Sequence, residues 1–204
     1  TTGFGSDGIR AEGAGGTIDN AGSVPTAGTG AQAISATGDG NQITNSGALT
    51  TTGEAANGVL ATGAHAVATN DETGVIDVGL SSGIAIIGLG AEATNAGQIT
   101  SSGNGLLGAD GVASLSNSGT ISVTGNGSGI AILPHEEGTD PIARENPLSL
   151  TNGGTITTLD GANGITTNVA SSIVTNTGLI STSGTGAIAI SVIEANDAVV
   201  VNDD

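Results

Sequence analysis

Five residue types are missing from this chain of 204 residues: cysteine, methionine, tryptophan, tyrosine and lysine. The absence of cysteine excludes a disulfide framework and a zinc–thiolate site. Phe4 is the only aromatic residue, although globular cores usually take much of their volume from aromatic side chains. Any core of this protein must therefore be narrow and filled with aliphatic side chains.

Positive charge is almost absent too. Nineteen acidic residues stand against two basic ones, Arg10 and Arg144, and the formal net charge is −17. Phosphate binding depends on Lys and Arg, so we expect no nucleic-acid partner, and anionic lipid is disfavoured for the same reason. The longest apolar stretches, such as 83–91, are far too short to span a bilayer. We therefore expect no membrane insertion by this segment.

Glycine is abundant, with 37 residues, and it belongs to a recurring motif. The stretch NSGAL at 45–49 returns in related forms at 95–99, 117–121, 152–156 and 176–180. A motif that returns at a near-constant interval, here mostly close to 25 residues, indicates a repeat architecture. Its first residue serves as an anchor, and the anchor asparagines are Asn20, Asn45, Asn70, Asn95, Asn117, Asn152 and Asn176, with a degenerate last copy at Asn202.

Three aliphatic columns accompany the anchors, at eleven residues before, two before and four after each asparagine. Three short alternating segments separated by Gly or Asn turns predict three strands per repeat. Stacking one repeat on the next buries the aliphatic columns and pairs the strands. We therefore predict an all-β fold, a right-handed three-sided parallel β-helix (β-solenoid) of about eight coils of about 25 residues, as one domain over 1–204.

The strand alternation also places individual side chains. The anchor asparagines should face inward and align as a ladder of amides along the axis, and the glycine two residues later should turn the corner with φ > 0. Arg10 should point outward in a surface ion pair, and His65 should be exposed. Hydroxyl residues five positions after the anchor should face solvent: Thr50, Thr100, Ser122, Thr157 and Ser181.

The pattern breaks at 133–147, where LPHEEGTDPIARENP predicts a loop inserted in the solenoid wall. The loop is interpreted as a tolerated insertion or as a binding or interface segment. Glu136, Glu137 and Asp140 are the candidate metal ligands, although their spacing matches no compact metal loop. We expect no cofactor, with loosely bound calcium as the alternative. The candidate interaction residues are His135, Glu136, Glu137, Asp140, Arg144 and Glu145.

Repeats such as NSGALTTTGEAANGV (45–59) resemble those of bacterial autotransporter (type V secretion) passengers and related large surface exoproteins. The resemblance covers essentially the whole chain. It implies a β-solenoid fold and an extracellular or bacterial outer-surface location. It implies no particular activity, because such passengers include adhesins, stalks, proteases and esterases. The receptor or ligand of an adhesive segment is not identified by these residues.

The sequence thus predicts a structural or adhesive β-solenoid that acts as a rigid acidic stalk or filament segment, without catalytic activity. A glycan-cleaving β-helix enzyme is a remote alternative, because the acids are scattered and no aromatic platform exists for sugar rings. An ice-binding face is another remote alternative. Such a face needs regular outward rows of Thr-x-Thr, and among the segments after the anchors only Thr120/Ser122 and Thr155/Thr157 fit this pattern.

The two ends of the sequence carry no visible cap. Thr1–Gly3 repeats the TTG of 51–53, and about three residues would complete a coil between Asp204 and another Thr1. We expect either a segment of a longer array or subunits that associate head to tail into an extracellular fibre.

Overall fold

The computed structural model describes residues 1–133, 148–193 and 196–203, and in this part of the chain all regular structure is β-strand. Most strands are four residues long, and most corners contain Gly. The strands in chain order are β1 (Ile9–Glu12), β2 (Thr17–Asn20), β3 (Ser23–Thr26), β4 (Ile34–Thr37), β5 (Gln42–Asn45), β6 (Ala48–Glu54), β7 (Val59–Thr62), β8 (Val67–Asn70), β9 (Val75–Leu80), β10 (Ile84–Ile87), β11 (Glu92–Asn95), β12 (Gln98–Ser101), β13 (Leu106–Ala109), β14 (Ser114–Asn117), β15 (Thr120–Val123), β16 (Ser128–Ile132), β17 (Ser149–Asn152), β18 (Thr155–Thr158), β19 (Asn163–Thr167), β20 (Ile173–Asn176), β21 (Leu179–Thr182), β22 (Ile190–Val192) and β23 (Val199–Asn202).

Every third strand joins the same sheet, and all the pairings are parallel. Sheet A runs β1-β4-β7-β10-β13-β16-β19-β22, sheet B runs β2-β5-β8-β11-β14-β17-β20-β23, and sheet C runs from β3 to β21. The chain therefore completes seven coils of three strands and adds two strands of an eighth. The predicted fold class, a three-sided parallel β-helix, is confirmed.

The three aliphatic columns lie in register inside the solenoid. In sheet A, Ile84 lies between Val59 and Leu106, and in sheet C, Ile99 lies between Ile76 and Ile121. These side chains are almost completely buried. Burial of one such side chain contributes roughly 1.5–3 kcal/mol, and only neighbouring coils supply that burial, so no coil is stable alone.

In the described residues, the repeats differ in length mainly because the corners between strands differ in length. The step from the last inward residue of sheet C to the first of sheet A is eight residues from Thr51 to Val59 but five from Ser101 to Leu106. The corner between sheets B and C has two additional residues near 71–73, and Ile76 still pairs with Leu49 and Ile99. The predicted loop lies between β16 and β17, and its residues 134–147 are outside the described residues.

Candidate functional site

The anchor asparagines form a continuous ladder at the corner between sheets B and C. Each side-chain Nδ2 donates to the Oδ1 of the next anchor, at 2.7 to 2.8 Å. The bonds span sequence separations from 22 to 35 residues, so the ladder keeps its geometry across the shortest and the longest repeat. Its members are Asn20, Asn45, Asn70, Asn95, Asn117, Asn152, Asn176 and Asn202.

The seven ladder amides from Asn20 to Asn176 also close their own corners. Asn45 Nδ2 donates to the carbonyl of Gly47 at 3.2 Å, and Asn95 Nδ2 donates to that of Gly97 at 3.2 Å. An asparagine has two N–H donors and a carbonyl acceptor, so one residue joins two coils and caps a turn. All the ladder bonds have the same direction, with the donor N–H pointing towards the coil that follows.

The glycine of the NxG motif is required for a different reason from the predicted one. Gly47, Gly97 and Gly119 do not have positive φ, whereas Gly38 and Gly40, at the corner between sheets A and B, do. A Cβ on Gly47 would fall far inside van der Waals contact of the Gly22 carbonyl oxygen in the preceding coil. The prediction of φ > 0 at this glycine was wrong: close stacking of backbones, rather than a left-handed turn, excludes a side chain.

A second polar column, which was not predicted from the sequence, lies at the corner between sheets C and A. Here a side-chain oxygen accepts the backbone N–H of the following coil: Asp7 from Gln32 at 2.8 Å, and Gln32 from Asn57 at 2.6 Å. The sequence signal is a polar residue, then Gly or Ala, then Ile, Val or Leu, once in most repeats. Further members are Asn57, Asn104 and Asn163.

Buried hydroxyl groups complete the same corner. Thr51 Oγ1 donates to the Ala56 carbonyl at 2.7 Å, and Thr158 Oγ1 donates to the Ala162 carbonyl at 2.7 Å. Both threonines are at most 1% exposed. These hydroxyls donate hydrogen bonds to carbonyls that turn away from the sheets. The bonds matter because a buried carbonyl without a hydrogen-bond partner costs free energy.

The outer face of sheet B presents a regular row of hydroxyl groups. The row occupies the position just before the six anchors from Asn45 to Asn176, and its members pair in register from coil to coil. Asp19 and Val201 stand at the same position in the first and last coils. The other outward position of the sheet is mixed, with Val67, Glu92 and Ser149 among its residues. This row was not predicted from the sequence, where only hydroxyl pairs after the anchor were noted. The row consists of Thr44, Thr69, Thr94, Ser116, Thr151 and Thr175.

The outer face of sheet A is apolar in its central coils. Ala85 pairs with Leu60 on one side and Leu107 on the other, and Leu107 also pairs with Ala131. The alternation of large and small side chains lets the leucines cover the alanines, so Ala85 and Ala131 are only 3% and 5% exposed. This stripe extends the apolar packing onto the outside of the wall.

Charged groups are dispersed over the described residues. Arg10 lies 2.7 Å from Glu12 and 4.0 Å from Asp7, and it is 57% exposed. The pair with Glu12 is exposed on both sides, and exposed pairs contribute little. Within the described ranges, no group of three or more His, Asp or Glu side chains could hold a metal ion. The candidate metal ligands and interaction residues from His135 to Glu145 lie outside those ranges.

One serine lies in a sequence pattern shared with catalytic serines. Residues 79–83 read Gly-Leu-Ser-Ser-Gly, which matches the Gly-x-Ser-x-Gly of a nucleophile elbow, but that motif requires a strand–turn–helix. Here it spans a corner between two strands, β9 and β10. Ser81 Oγ donates to Asn57 Oδ1 at 2.7 Å, so this hydroxyl belongs to the second polar column.

The described part of the chain contains no helix with the length and apolar character that a membrane crossing needs. No protein-family model matches the chain, and searches of curated proteins and of solved structures return no match either.

Proposed function

We propose that this protein is a rigid, acidic, non-catalytic spacer of an extracellular bacterial surface, a stalk or filament segment that holds an adhesive contact away from the cell. The observation that carries this proposal is the asparagine ladder, which runs through every coil from Asn20 to Asn202. The eight stacked strands of sheet B, at about 4.8 Å each, correspond to a rod about 38 Å long.

The interior polar groups support a structural role. The ladder amides, the oxygens of the second polar column and the buried threonine hydroxyls all bond to a neighbouring coil or to their own corner. A catalytic group needs a lone pair or proton directed at substrate, whereas these groups already have partners inside the solenoid. Incubation with acidic and neutral polysaccharides should release no product, and product formation would contradict the proposal.

The surface composition supports the extracellular location. A net charge of −17 keeps a long rod solvated and resists association with other anions, and the repeats resemble those of exported surface proteins. Antibodies against the purified chain should label intact bacteria that express it. Labelling only after permeabilisation would contradict the proposed location.

Rigidity is the property that defines a spacer, and it can be measured directly. The chain has no cysteine, so paired spin labels report only on engineered positions. Gln42 and Ile173 lie in the same outward column of sheet B, five strand spacings apart. The Gln42→Cys/Ile173→Cys pair should give one narrow distance distribution near 24 Å, since each spacing is about 4.8 Å.

A matched pair checks the geometry. Thr17 occupies the same column one coil earlier, so Thr17→Cys/Ile173→Cys should lengthen the distance by one spacing, about 4.8 Å. Both distributions should broaden in denaturant. A broad distribution under native conditions, or no difference between the two pairs, would rule out a rigid spacer.

Head-to-tail self-association is a second candidate, favoured by the direction of the ladder. Asn176 Nδ2 donates to Asn202 Oδ1, so the amide N–H of Asn202 is directed towards any coil stacked beyond it. Negative-stain electron microscopy of the purified chain, with and without millimolar calcium, tests this candidate. Uniform filaments would support a fibre subunit, and short single rods would support the spacer alone.

A further inference from the structure

Five Asn–Gly dipeptides occur in the chain, at 57–58, 104–105, 126–127, 152–153 and 163–164. Asparagine followed by glycine is chemically unstable when both residues are free to move, because the glycine nitrogen can attack the side-chain amide and glycine offers no Cβ to hinder it. The reaction requires a free backbone N–H on the glycine and a side-chain amide that can rotate. Hydrogen bonds to either group oppose it.

Four of the five dipeptides are protected on their glycine side. Each of these glycine N–H groups donates to a carbonyl of a neighbouring coil, at 2.8 to 3.1 Å. The solenoid must open locally before any of these nitrogens can react. The pairs are Gly58 with Ser82, Gly105 with Ser128, Gly153 with Asn117 and Gly164 with Ile188.

The same four are protected on their asparagine side. Asn152 is a ladder residue and is completely buried. Asn57, Asn104 and Asn163 belong to the second polar column, where each side-chain oxygen accepts a backbone N–H of the next coil at 3.1, 2.8 and 2.9 Å respectively. The hydrogen bonds that hold the coils together therefore also hold these side chains away from the reactive geometry.

Asn126–Gly127 is different. It lies at the exposed corner between β15 and β16, and its asparagine is exposed. Among the residues that the structure describes, neither the Asn126 side chain nor the Gly127 N–H has a hydrogen-bond partner. Asn126 is not a member of either polar column, since Ser128 takes the column position in this coil.

We propose that Asn126 is the site at which the folded protein deamidates. The Gly127 nitrogen attacks Asn126 Cγ, the new N–Cγ bond closes a cyclic imide, and the Cγ–Nδ2 bond breaks. Ammonia leaves with the proton of the Gly127 N–H. Water then opens the imide at one of its two carbonyls and gives aspartate or isoaspartate. One water is consumed and one ammonia is released, and no redox partner is needed.

The fold tolerates both products. Isoaspartate inserts one extra backbone carbon, and the corner between sheets C and A already varies between eight residues at Thr51–Val59 and five at Ser101–Leu106. Either product adds a negative charge to a surface with a net charge of −17. The reaction therefore marks the age of an assembled rod without unfolding it.

The experiment incubates the folded chain at mildly alkaline pH and follows each Asn–Gly site by mass spectrometry of peptides from an acidic pepsin digest. Asn126 should convert about tenfold faster or more than any other Asn–Gly site, because a tenfold difference needs only about 1.4 kcal/mol of local opening. The circular dichroism spectrum should not change. Hydroxylamine, which cleaves the cyclic imide, should cut the folded chain into fragments 1–126 and 127–204.

Two controls make the result decisive. In denaturant the five sites should react at comparable rates, which shows that the folded structure, rather than the local sequence, causes the selectivity. Asn126→Gln should fold normally, because the side chain has no described hydrogen bond, and it should abolish the hydroxylamine cut. Conversion of Asn57, Asn104 or Asn163 at the rate of Asn126 in the folded chain would overturn the proposal, as would an unreactive Asn126.

Discussion

At the scale of single residues, the solenoid depends on buried amides whose partners lie in adjacent coils. Asn95 is completely buried, accepts a hydrogen bond from Asn70 at 2.8 Å and donates one to Asn117 at 2.8 Å. A buried polar group without a partner costs more than a satisfied bond contributes. One ladder residue therefore determines whether the groups on both sides of it are satisfied.

Replacement of one ladder residue should be strongly destabilising. Asn95→Ala removes both ladder bonds and leaves the facing atoms of Asn70 and Asn117 without their partners, so we expect the free energy of unfolding to fall by about 3 kcal/mol. Urea denaturation followed by circular dichroism measures the change. Thr94→Ala, on the outward side of the same strand, should change it by less than about 0.5 kcal/mol. Equal effects would show that the ladder contributes no more than a surface side chain.

Backbone strain at the corner between sheets A and B gives a prediction of the opposite sign. His65 is exposed and has φ of 55°, in a column where Gly40 and Gly90 have φ of 67° and 66°. His65→Gly should raise the free energy of unfolding by about 1 kcal/mol, because a side chain in this conformation costs about that much. Gly40→Ala should lower it by a similar amount, since its Cβ would meet no atom within 4 Å and only strain would act. An unchanged stability in both variants would contradict this account.

At the scale of elements, strand stacking is limited by how closely the corners approach. At most of these corners, the carbonyl of the corner glycine lies against the α-carbon of the corner glycine in the next coil, as it does for Gly47, Gly97, Gly119, Gly154 and Gly178. A Cβ atom added to Gly97 would clash with the carbonyl oxygens of Gly74 and Asp71 and with the side-chain amide of Asn70. Such corners cannot relax independently, because the strands on both sides hold them in register.

This contact predicts a contrast between two glycines of the same motif. Gly97→Ala should lower the free energy of unfolding by more than about 3 kcal/mol, since overpacking here displaces backbone. The same change at Gly22, whose Cβ would be 3.8 Å from Asn20 Oδ1, should cost about 1 kcal/mol or less. Thermal and urea denaturation of the two variants measure the contrast. Similar losses would indicate that conformational entropy, rather than stacking distance, explains the glycine.

At the scale of the whole molecule, charge opposes the compact state. The formal net charge is −17, and the Arg10–Glu12 ion pair is exposed. Repulsion among dispersed carboxylates destabilises the folded rod more than the extended chain. Salt at 0.1 M largely screens the repulsion between exposed charges that are more than about 10 Å apart.

Added sodium chloride should therefore raise the midpoint of thermal unfolding. The increase should be steepest between very low and physiological ionic strength, where the screening length changes most. A variant with Asp71→Asn and Glu72→Gln, which removes two adjacent charges, should have a higher midpoint at low salt and a smaller salt dependence. A midpoint that falls with salt in both proteins would indicate that ion pairs outweigh repulsion.

The sequence by itself determined the period, the three inward columns and the fold class. These follow from a one-dimensional signal, because alternation places Ile, Val and Leu on one side of each strand and repetition every 25 residues or so aligns them. The position of the anchor asparagines was part of the same signal. The predicted loop and its candidate ligands lie at 133–147, almost entirely outside the described residues, and they stay a prediction.

Only the tertiary structure decided what surrounds each residue. The stacking distance at Gly47, the acceptors of the second polar column and the hydroxyl row of sheet B all depend on a coil that is typically about 25 residues away in the chain. The five Asn–Gly dipeptides illustrate the point, since they are identical as sequence and only four of them are hydrogen-bonded to neighbouring coils. Pattern specifies which side of the wall a residue faces, and packing against the adjacent coils specifies what that residue can do.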